Sequence, residues 1–316
     1  MPTAASLIPI TGTAPLRWGA EAVWQQLVPL LPGLSVEVVR SSASTNSALL
    51  ERARVLPENR RGGTDVVVRR SVESAAFGRR AADLQPCLLV AEQQHAGRGR
   101  QGRTWKSEPG ASLTFSLGLP LALADWSGLS LAVGVALCDA LDPPQGRTGA
   151  PGTPRLALKW PNDLWLVDAD GRGRKLGGVL IETVAAGTQR LAVIGIGLNI
   201  QPFATADLNT GFATLQELDP DATAPGALAC VALPLVQALK RFEVEGFGGF
   251  VQAFEARDLL RGRAVRTTLA DVPQGIARGV SPQGALLVET PGGIVAVASG
   301  EVSVRLEGAM PPAVAA

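Results

Sequence analysis

Tyrosine is missing from this chain of 316 residues, and its only histidine is His95. A single histidine argues against a Ser-His-Asp triad and against a metal site built from several imidazole ligands. The three cysteines, Cys87, Cys138 and Cys230, are odd in number and far apart. They outline neither a zinc site nor a disulfide framework, and this usage is typical of a protein from a reducing cytoplasm.

Long apolar runs and an excess of charge are also missing. No apolar stretch approaches the roughly 20 residues that a membrane-spanning helix needs. The N-terminus does not have the charged and then apolar layout of a signal peptide. The net charge of +1 supplies no overall basic field for nucleic acid. With 46% hydrophobic residues, the chain is predicted to be a globular cytoplasmic protein without a membrane span.

The most distinctive stretch of the sequence combines glycine with arginine. It follows an apolar run at residues 87–91, typical of a buried strand, and precedes a second predicted strand at 113–119. Within it the two residue types alternate at Gly97, Arg98, Gly99, Arg100, Gly102 and Arg103. Glycine lets backbone amides approach an anion, and arginine adds a permanent charge with planar donors. The pattern predicts an anion-binding loop at the end of a sheet.

Other interpretations of this loop are weaker. Glycine-arginine runs also occur in flexible basic loops and in disordered RNA-binding segments, but this run is short and lies between apolar strands. The Gly-Lys-Ser/Thr ending of a Walker loop is missing. No helical pattern follows the loop, as it would in a dinucleotide-binding fold.

Further polar clusters lie where other predicted strands end. They are Ser44-Thr45-Asn46, Gln94, Asn162-Asp163, Lys175 and Asn199. Each has a simple structural explanation by itself; Ser44 or Thr45, for example, can cap the helix that follows. Gly195 and Gly197 lie inside a predicted strand at 191–200, where glycine usually marks the close approach of a ligand or another backbone.

The rest of the sequence predicts two domains. Helical spacing occurs at 126–141 and at 247–259, whereas short strands separated by Pro-Gly turns follow residue 261, as in a small barrel or sandwich. The predicted divisions are a loose segment at 1–16, a catalytic domain at 17–260, a β-domain at 261–306 and a tail at 307–316.

An arginine-rich insertion interrupts the predicted catalytic domain at residues 52–86. It holds three arginine pairs, at 60–61, 69–70 and 79–80, and one short predicted strand at 66–68. The insertion could be a basic arm for nucleic acid or for an acidic carrier protein. A solvated surface insertion is the interpretation we favour.

In their order along the chain, the polar clusters resemble the bacterial biotin protein ligase family over residues 36–306. The matching pieces are Ser-Thr-Asn at 44–46, Gly-Arg-Gly-Arg-Gln-Gly-Arg-Thr-Trp at 97–105, Lys-Trp-Pro-Asn-Asp-Leu at 159–164, Lys-Leu-Gly-Gly at 175–178 and Gly-Ile-Gly-Leu-Asn at 195–199. The Gly-Arg and Lys-Trp-Pro-Asn-Asp motifs together are highly specific.

The resemblance implies an α+β fold. Its catalytic domain would resemble those of class II aminoacyl-tRNA synthetases, with a central mixed sheet, and an SH3-like β-barrel would follow. The family uses ATP and Mg²⁺ to convert biotin into biotinyl-5′-AMP and pyrophosphate. It then passes biotin to a lysine of a biotin carboxyl carrier domain, as in acetyl-CoA carboxylase.

The resemblance also implies which residues form the site. Biotin would be bound by Ser44, Thr45, Gln94, Gly97, Arg98, Lys175 and Gly178. ATP and the adenylate would be bound by Arg100, Arg103, Trp105, Asn162, Asp163, Lys175, Asn199 and Phe212. The catalytic residues would be Lys175, Arg100 and Asp163, and Asp163 would also hold the metal ion.

Some family members carry an N-terminal helix-turn-helix domain that represses biotin synthesis genes. About 35 residues precede the first matching strand, so we expect a ligase that does not bind operator DNA. Family members occur as monomers and as homodimers, and both states are open here. Two other functions are alternatives: a lipoate–protein ligase, or a nucleic-acid-binding protein that uses the arginine-rich insertion.

Overall fold

The structure is a computed structural model that describes residues 16–54, 75–77, 84–143, 155–169, 171–186, 189–203, 211–298 and 304–306. Nearly all of the expected loose segment, the expected tail and the three arginine pairs of the insertion lie outside the described residues. The short strand expected at 66–68 lies outside them too.

The described residues form five α-helices and fifteen β-strands. The α-helices are α1 (Ala20–Leu27), α2 (Thr45–Arg54), α3 (Leu129–Leu141), α4 (Ala224–Glu245) and α5 (Val251–Glu255). The first strands are β1 (Ser35–Ser42), β2 (Ala75–Phe77), β3 (Cys87–Gln94), β4 (Gly97–Arg98), β5 (Thr104–Trp105), β6 (Ser112–Pro120), β7 (Arg155–Lys159), β8 (Asp163–Val167), β9 (Gly173–Ala186) and β10 (Gln189–Asn199). The last are β11 (Ala264–Thr267), β12 (Gln274–Val280), β13 (Leu286–Thr290), β14 (Gly293–Val297) and β15 (Val304–Leu306).

Eight of the described strands form a mixed sheet in the order β2-β1-β3-β6-β10-β9-β8-β7. β1 and β3 run parallel, while the other neighbouring pairs are antiparallel. The register aligns Ser42 with Gln94, Ser112 with Asn199, and Asp163 with Gly178. These strand ends therefore lie at one end of the sheet, which is where most of the predicted polar clusters meet.

The sheet is held between helices because its central strands are apolar on both faces. Every residue of β6 except Pro120 is buried. α1, α3 and α4 cover one face and enclose the larger apolar cluster. α2 covers the other face above a smaller cluster that includes Leu49, Leu89 and Val193. Each fully buried leucine or valine contributes about 1.5–3 kcal/mol, which fixes α2 over β6, β9 and β10.

The strands β11 to β15 form a second, antiparallel sheet in the order β14-β13-β12-β11-β15. The Trp160 indole N–H donates to the Gly284 carbonyl (3.0 Å), and Lys159 Nζ donates to the Val304 carbonyl (2.8 Å). Both bonds attach this sheet to the chain at the end of β7. The predicted α+β fold class, with a mixed sheet and a small C-terminal β-unit, is confirmed, whereas the division near residue 260 stays a prediction.

Two helices differ from their expected bounds. The helix expected over 126–141 begins only at Leu129, because Gly128 directly before it has a left-handed backbone with a φ of 77°. The helix expected over 247–259 begins as a 3-10 turn and ends at Glu255. The chain then pairs with β7, where the Leu158 N–H donates to the Arg257 carbonyl (2.7 Å). No helix in the described part of the chain is long and apolar enough to cross a bilayer.

Candidate active site

The Ser-Thr-Asn turn, residues 44–46, joins β1 to α2. The backbone N–H of Ala48 donates to the Ser44 carbonyl (3.0 Å), and that of Ser47 donates to the Ser44 hydroxyl oxygen (3.4 Å). Of the two expected caps, Ser44 is therefore the one that caps α2. Ser44, Thr45 and Asn46 are all buried, so packing holds the turn in position at this end of the sheet.

Gln94, the last residue of β3, contacts this turn directly. Its side-chain Oε1 accepts hydrogen bonds from the Thr45 backbone N–H (2.7 Å) and from the Thr45 hydroxyl (3.2 Å). The Gln94 backbone N–H donates to the Ser107 hydroxyl oxygen (2.8 Å). The structure thus joins two residues that were both predicted to bind biotin.

The glycine-arginine stretch forms a small hairpin, called the Gly-Arg hairpin below (residues 97–105). β4 pairs with β5, and Arg100–Gly102 makes a 3-10 turn between them. The turn is tight enough that Gln101 has a φ of 56°. The hairpin lines an open cavity of about 360 Å³, whose other side includes Leu180 and Glu182 of β9. The predicted anion-binding loop is therefore a defined hairpin at the sheet end.

Arg100 of the hairpin meets Asn162, which precedes β8. Arg100 Nη1 donates to Asn162 Oδ1 (3.3 Å), and Asn162 Nδ2 donates to the Val179 carbonyl (2.7 Å). Burial lowers the pKa of the Arg100 guanidinium; the Asp163 carboxylate opposes this shift, and the neighbouring charge of Arg103 adds to it. A half-buried guanidinium interacts more strongly with an anion than one in water, because the local dielectric constant is lower. Arg103 itself is exposed.

Lys175 lies beside Asp163 on the neighbouring strand. Lys175 Nζ is 2.7 Å from Asp163 Oδ1, and both side chains are partly buried. Gly178 lies opposite Asp163 in the register of β8 and β9. Nζ is also 6.0 Å from the centroid of the Trp105 ring. An ammonium group has three N–H donors, and the bond to Asp163 uses one of them.

Trp105 packs against β10 at Gly197. A Cβ atom at position 197 would lie 2.5 Å from the Trp105 ring, so only glycine leaves room for the indole. The close approach expected at this glycine is therefore that of a side chain. The Trp105 Nε1 atom is buried and has no hydrogen-bond partner among the described residues. Since buried donors are usually paired, this N–H is a candidate for a ligand contact.

Asn199 and Phe212 both contact the backbone of Lys175. Asn199 Nδ2 donates to the Ala213 carbonyl (3.1 Å) and to the Lys175 carbonyl (3.4 Å). Phe212 forms an isolated bridge with Lys175, and its ring makes an edge contact with that of Phe203. The Asn199 amide thus ties two backbone segments together, and its expected contact with ATP and the adenylate stays a prediction.

Two residues of the site were not among those predicted from the sequence. The Ser116 hydroxyl oxygen lies 2.6 Å from both Thr45 Oγ1 and Asn46 Oδ1. Glu182 accepts a hydrogen bond from Asn46 Nδ2 (2.9 Å) and forms an ion pair with Arg98 (2.5 Å). Ser116 gave a signal, since it belongs to a row of polar residues that alternate with apolar ones. Glu182 is the one acid in the mostly apolar part of β9 at residues 179–184, and such a pattern does not indicate its partners.

Asp163 is the residue that fits a metal ion. Among the described residues, no group of three or more His, Cys, Asp or Glu side chains could hold one. Mg²⁺ prefers oxygen ligands and is often bound by one or two carboxylates together with water and substrate phosphates. A single carboxylate at this position therefore fits a magnesium ion that arrives with a nucleotide.

Comparison with known proteins finds two matching family models and several similar proteins. A family model described as "Biotin/lipoate A/B protein ligase family" matches residues 81–199, and one described as "Biotin protein ligase C terminal domain" matches residues 261–305. The biotin–[acetyl-CoA-carboxylase] ligase of Mycobacterium tuberculosis is 32% identical over 90% of this chain and 91% of that protein. The bifunctional ligase/repressor BirA of Escherichia coli is 36% identical over 68% of this chain, and this match spans only 65% of that protein.

Solved structures agree with the sequence comparisons. The biotin protein ligase from Aquifex aeolicus, in complex with biotin and ATP, has a TM-score of 0.62 and 25% identity. The alignment covers 86% of this chain and 98% of that one. By its matched domains, its relatives and its fold, this chain belongs to the biotin protein ligase family.

Proposed function

We propose that this protein is an ATP-dependent biotin protein ligase. The observation that carries the proposal is that the Lys175–Asp163 pair, the Gly-Arg hairpin and the Thr45–Gln94 contact share one end of the sheet. Cations beside a mostly buried polar turn fit a substrate with a carboxylate at one end and a urea ring at the other. The biotin and ATP in the Aquifex aeolicus structure support the same pair of substrates.

In the first step, a carboxylate oxygen of biotin attacks the α-phosphorus of ATP, and the bond to pyrophosphate breaks. Biotinyl-5′-AMP forms. The attack brings two anions together, and positive charge at the reacting atoms offsets their repulsion. Lys175 would bridge the biotin carboxylate and the α-phosphate, and Arg100 would bind the phosphoryl oxygens. Magnesium bound with ATP neutralises phosphate charge, and Asp163 is the residue that would hold it.

In the second step, the amine of a carrier lysine attacks the acyl carbon of the adenylate. A C–N amide bond forms as the nitrogen loses one proton to water, the C–O bond breaks, and AMP leaves with the electron pair of that bond. The mixed anhydride would hydrolyse in open solvent, so the Gly-Arg hairpin has a second role as a cover over the intermediate.

The remaining site residues divide between the two substrates. We assign Ser44, Thr45 and Gln94 to the ureido ring of biotin, Gly97 and Arg98 to its valerate chain, and Gly178 to the biotin side of Lys175. We assign Arg103, Trp105, Asn162, Asn199 and Phe212 to ATP and the adenylate. The unpaired Nε1 of Trp105 supports the nucleotide assignment, because a ligand acceptor would satisfy it.

The acceptor we propose is a lysine of a biotin carboxyl carrier domain, such as that of acetyl-CoA carboxylase. The Mycobacterium tuberculosis relative, a biotin–[acetyl-CoA-carboxylase] ligase, supports this partner. A cytoplasmic location and the lack of operator binding stay predictions.

Transfer to a carrier tests this proposal. The protein is incubated with ATP, Mg²⁺, biotin and a biotin carboxyl carrier domain, and the carrier is analysed by mass spectrometry. We expect one biotinyl group on one lysine, and none on a carrier in which that lysine is replaced by arginine. An unmodified intact carrier in the presence of folded protein would contradict the proposal.

Lipoate is the alternative substrate, because the matching family model covers both biotin and lipoate ligases. Lipoate also has a carboxylate on a short chain, so the chemistry at Lys175 would be the same. It has no ureido ring, however, and the partly buried Thr45–Gln94 contact would have fewer partners in that substrate.

A further inference from the structure

Glu182 faces the Gly-Arg hairpin across the cavity that both of them line. Its Oε2 atom is 2.5 Å from Arg98 Nη2 and 2.9 Å from Asn46 Nδ2. The Glu182 side chain is 27% exposed, so its contact with Asn46 is partly shielded from water, whereas its contact with Arg98 is exposed. One carboxylate oxygen thus joins the hairpin to the Ser-Thr-Asn turn.

The contacts continue from Asn46 to the end of β3. The Ser116 hydroxyl oxygen lies 2.6 Å from Asn46 Oδ1 and 2.6 Å from Thr45 Oγ1. Thr45 in turn donates to Gln94 Oε1. Asn46, Ser116 and Thr45 are buried. A continuous row of polar contacts therefore runs from Glu182 to Gln94, through the residues assigned to the ureido ring.

The sheet makes room for this row at Gly195. A Cβ atom at position 195 would lie 2.2 Å from Asn46 Oδ1, a distance that no side chain tolerates. Asn46 Nδ2 also donates to the Leu180 carbonyl (3.1 Å). The amide is therefore held in one orientation, with Nδ2 toward β9 and Oδ1 toward β6. On the β9 side, the two acceptors of Asn46 Nδ2 are the Leu180 carbonyl and the Glu182 carboxylate.

We propose that Glu182 is a positioning residue for biotin, which couples the Gly-Arg hairpin to the Ser-Thr-Asn turn so that both close on the same substrate. The inference rests on the proposed biotin ligase function. Without the carboxylate, the Arg98 guanidinium and the Asn46 amide lose a shared, charge-assisted acceptor, and both elements gain freedom. Because both partners lie on the biotin side of the site, biotin binding should change while ATP binding is kept.

The test uses Glu182→Ala and Glu182→Gln in biotin-dependent pyrophosphate exchange. We expect Glu182→Ala to raise the KM for biotin about tenfold and to speed the release of biotinyl-AMP, with the KM for ATP within about twofold of wild type. Glu182→Gln keeps an oxygen acceptor for Asn46 but loses the ion pair with Arg98, so its KM for biotin should be intermediate.

The matched control is Glu245→Gln. It removes another Arg–Glu pair, that of Arg241 with Glu245 at the end of α4 (2.7 Å), and it should leave both KM values unchanged. Thermal unfolding of each variant is measured alongside. A simultaneous change of both KM values and of the unfolding temperature in the Glu182 variants would indicate a general structural role and overturn the positioning role.

A double variant makes the coupling explicit. If Glu182 acts through Arg98, the effects of Arg98→Ala and Glu182→Ala on the KM for biotin should be clearly less than additive. Additive effects, or a wild-type KM in both Glu182 variants of an active enzyme, would overturn the proposal alone. A wild-type protein that is folded but inactive with biotin would overturn the proposed function, and the role of Glu182 with it.

Discussion

Lys175 Nζ and Asp163 Oδ1 lie 2.7 Å apart on the neighbouring strands β9 and β8. An ion pair that water can partly reach contributes little to folding, about 0–1 kcal/mol. Its main consequence is positional, because the ammonium group is held at the sheet end before any substrate binds. Such pre-orientation lowers the entropic cost of bringing a cation to the reacting atoms.

Replacement of this lysine should remove adenylation while the fold is kept. In Lys175→Ala we expect biotin-dependent pyrophosphate exchange to fall about 100-fold or more, because Lys175 is the cation that we assign to bridge the two substrate anions. The control is Lys240→Ala, which removes a lysine paired with Glu243 on α4. Wild-type exchange in Lys175→Ala would remove Lys175 from the mechanism.

Asp163→Asn tests the metal assignment. The variant keeps the size of the side chain but loses the charge that pairs with Lys175 and that we propose to bind a magnesium ion. We expect a lower maximal exchange rate and a higher Mg²⁺ concentration at half-maximal rate, measured by magnesium titration at saturating ATP. Asp125→Asn, at an exposed aspartate, is the control. If the magnesium titration of Asp163→Asn matches those of the wild type and of Asp125→Asn, Asp163 does not hold the metal.

The Gly-Arg hairpin should retain the intermediate. In Arg100→Ala, the bond to Asn162 Oδ1 (3.3 Å) is lost, and with it the half-buried cation that we assign to the phosphoryl oxygens. We expect biotinyl-AMP to leave about tenfold faster, a change that corresponds to one charge-assisted hydrogen bond. Release is followed by chromatography of free biotinyl-AMP, and Arg278→Ala at an exposed ion pair of the small sheet is the control. Equal retention would contradict the cover role of the hairpin.

Gly197→Ala should displace Trp105. A Cβ atom 2.5 Å from the indole forces the ring or the strand to move. We expect a stability loss of about 1–3 kcal/mol and a raised KM for ATP, with a smaller effect on biotin. Gly248→Ala is a matched control, because a Cβ atom there would meet nothing within 4 Å. An unchanged KM for ATP would separate Trp105 from the nucleotide site.

Much of this site followed from the sequence because strand ends carry its residues. Once β1, β3 and β10 are placed in one sheet, the turn at 44–46, Gln94 and Asn199 must come together. The contact between Asn46 and Glu182 could not be derived in this way, since 136 positions separate the two residues. It depends on the order of β6, β10 and β9 in the sheet, which one acid in a mostly apolar run does not specify.

The glycines of β10 show a similar limit. Gly195 and Gly197 indicated a close approach, and the structure confirms one at each position. The approaching groups, the amide of Asn46 and the indole of Trp105, are neither a ligand nor a backbone. A glycine within a strand predicts that another group approaches the backbone closely. Which group this is depends on where α2 and the Gly-Arg hairpin pack.

Asp258 makes the stability of the protein depend on pH. Its Oδ1 accepts a hydrogen bond from the Leu260 N–H (2.9 Å), but its buried Oδ2 has no partner among the described residues. Burial raises the pKa of this carboxyl from 3.8 to about 6. The folded protein therefore holds the proton more tightly than the unfolded chain. The free energy of unfolding should fall as the pH rises from about 4 to about 6, by about 3 kcal/mol at most.

Asp258→Asn removes this ionisation. Relative to wild type, the variant should gain up to about 3 kcal/mol of stability between pH 4 and pH 7, measured by denaturant unfolding at both values. Asp271→Asn, at an exposed aspartate, controls for the loss of one negative charge. A stability difference between Asp258→Asn and wild type that is the same at both pH values would contradict the ionisation of Asp258 in this range.

The most direct test of the central claim is pyrophosphate exchange into ATP, with Mg²⁺ and with biotin, lipoate or no acid. The account predicts exchange with biotin and none with lipoate or without an acid. Exchange with lipoate in place of biotin would keep the adenylation chemistry and overturn the substrate. No exchange with either acid, from folded protein, would contradict the claim that this sheet end activates a carboxylate with ATP.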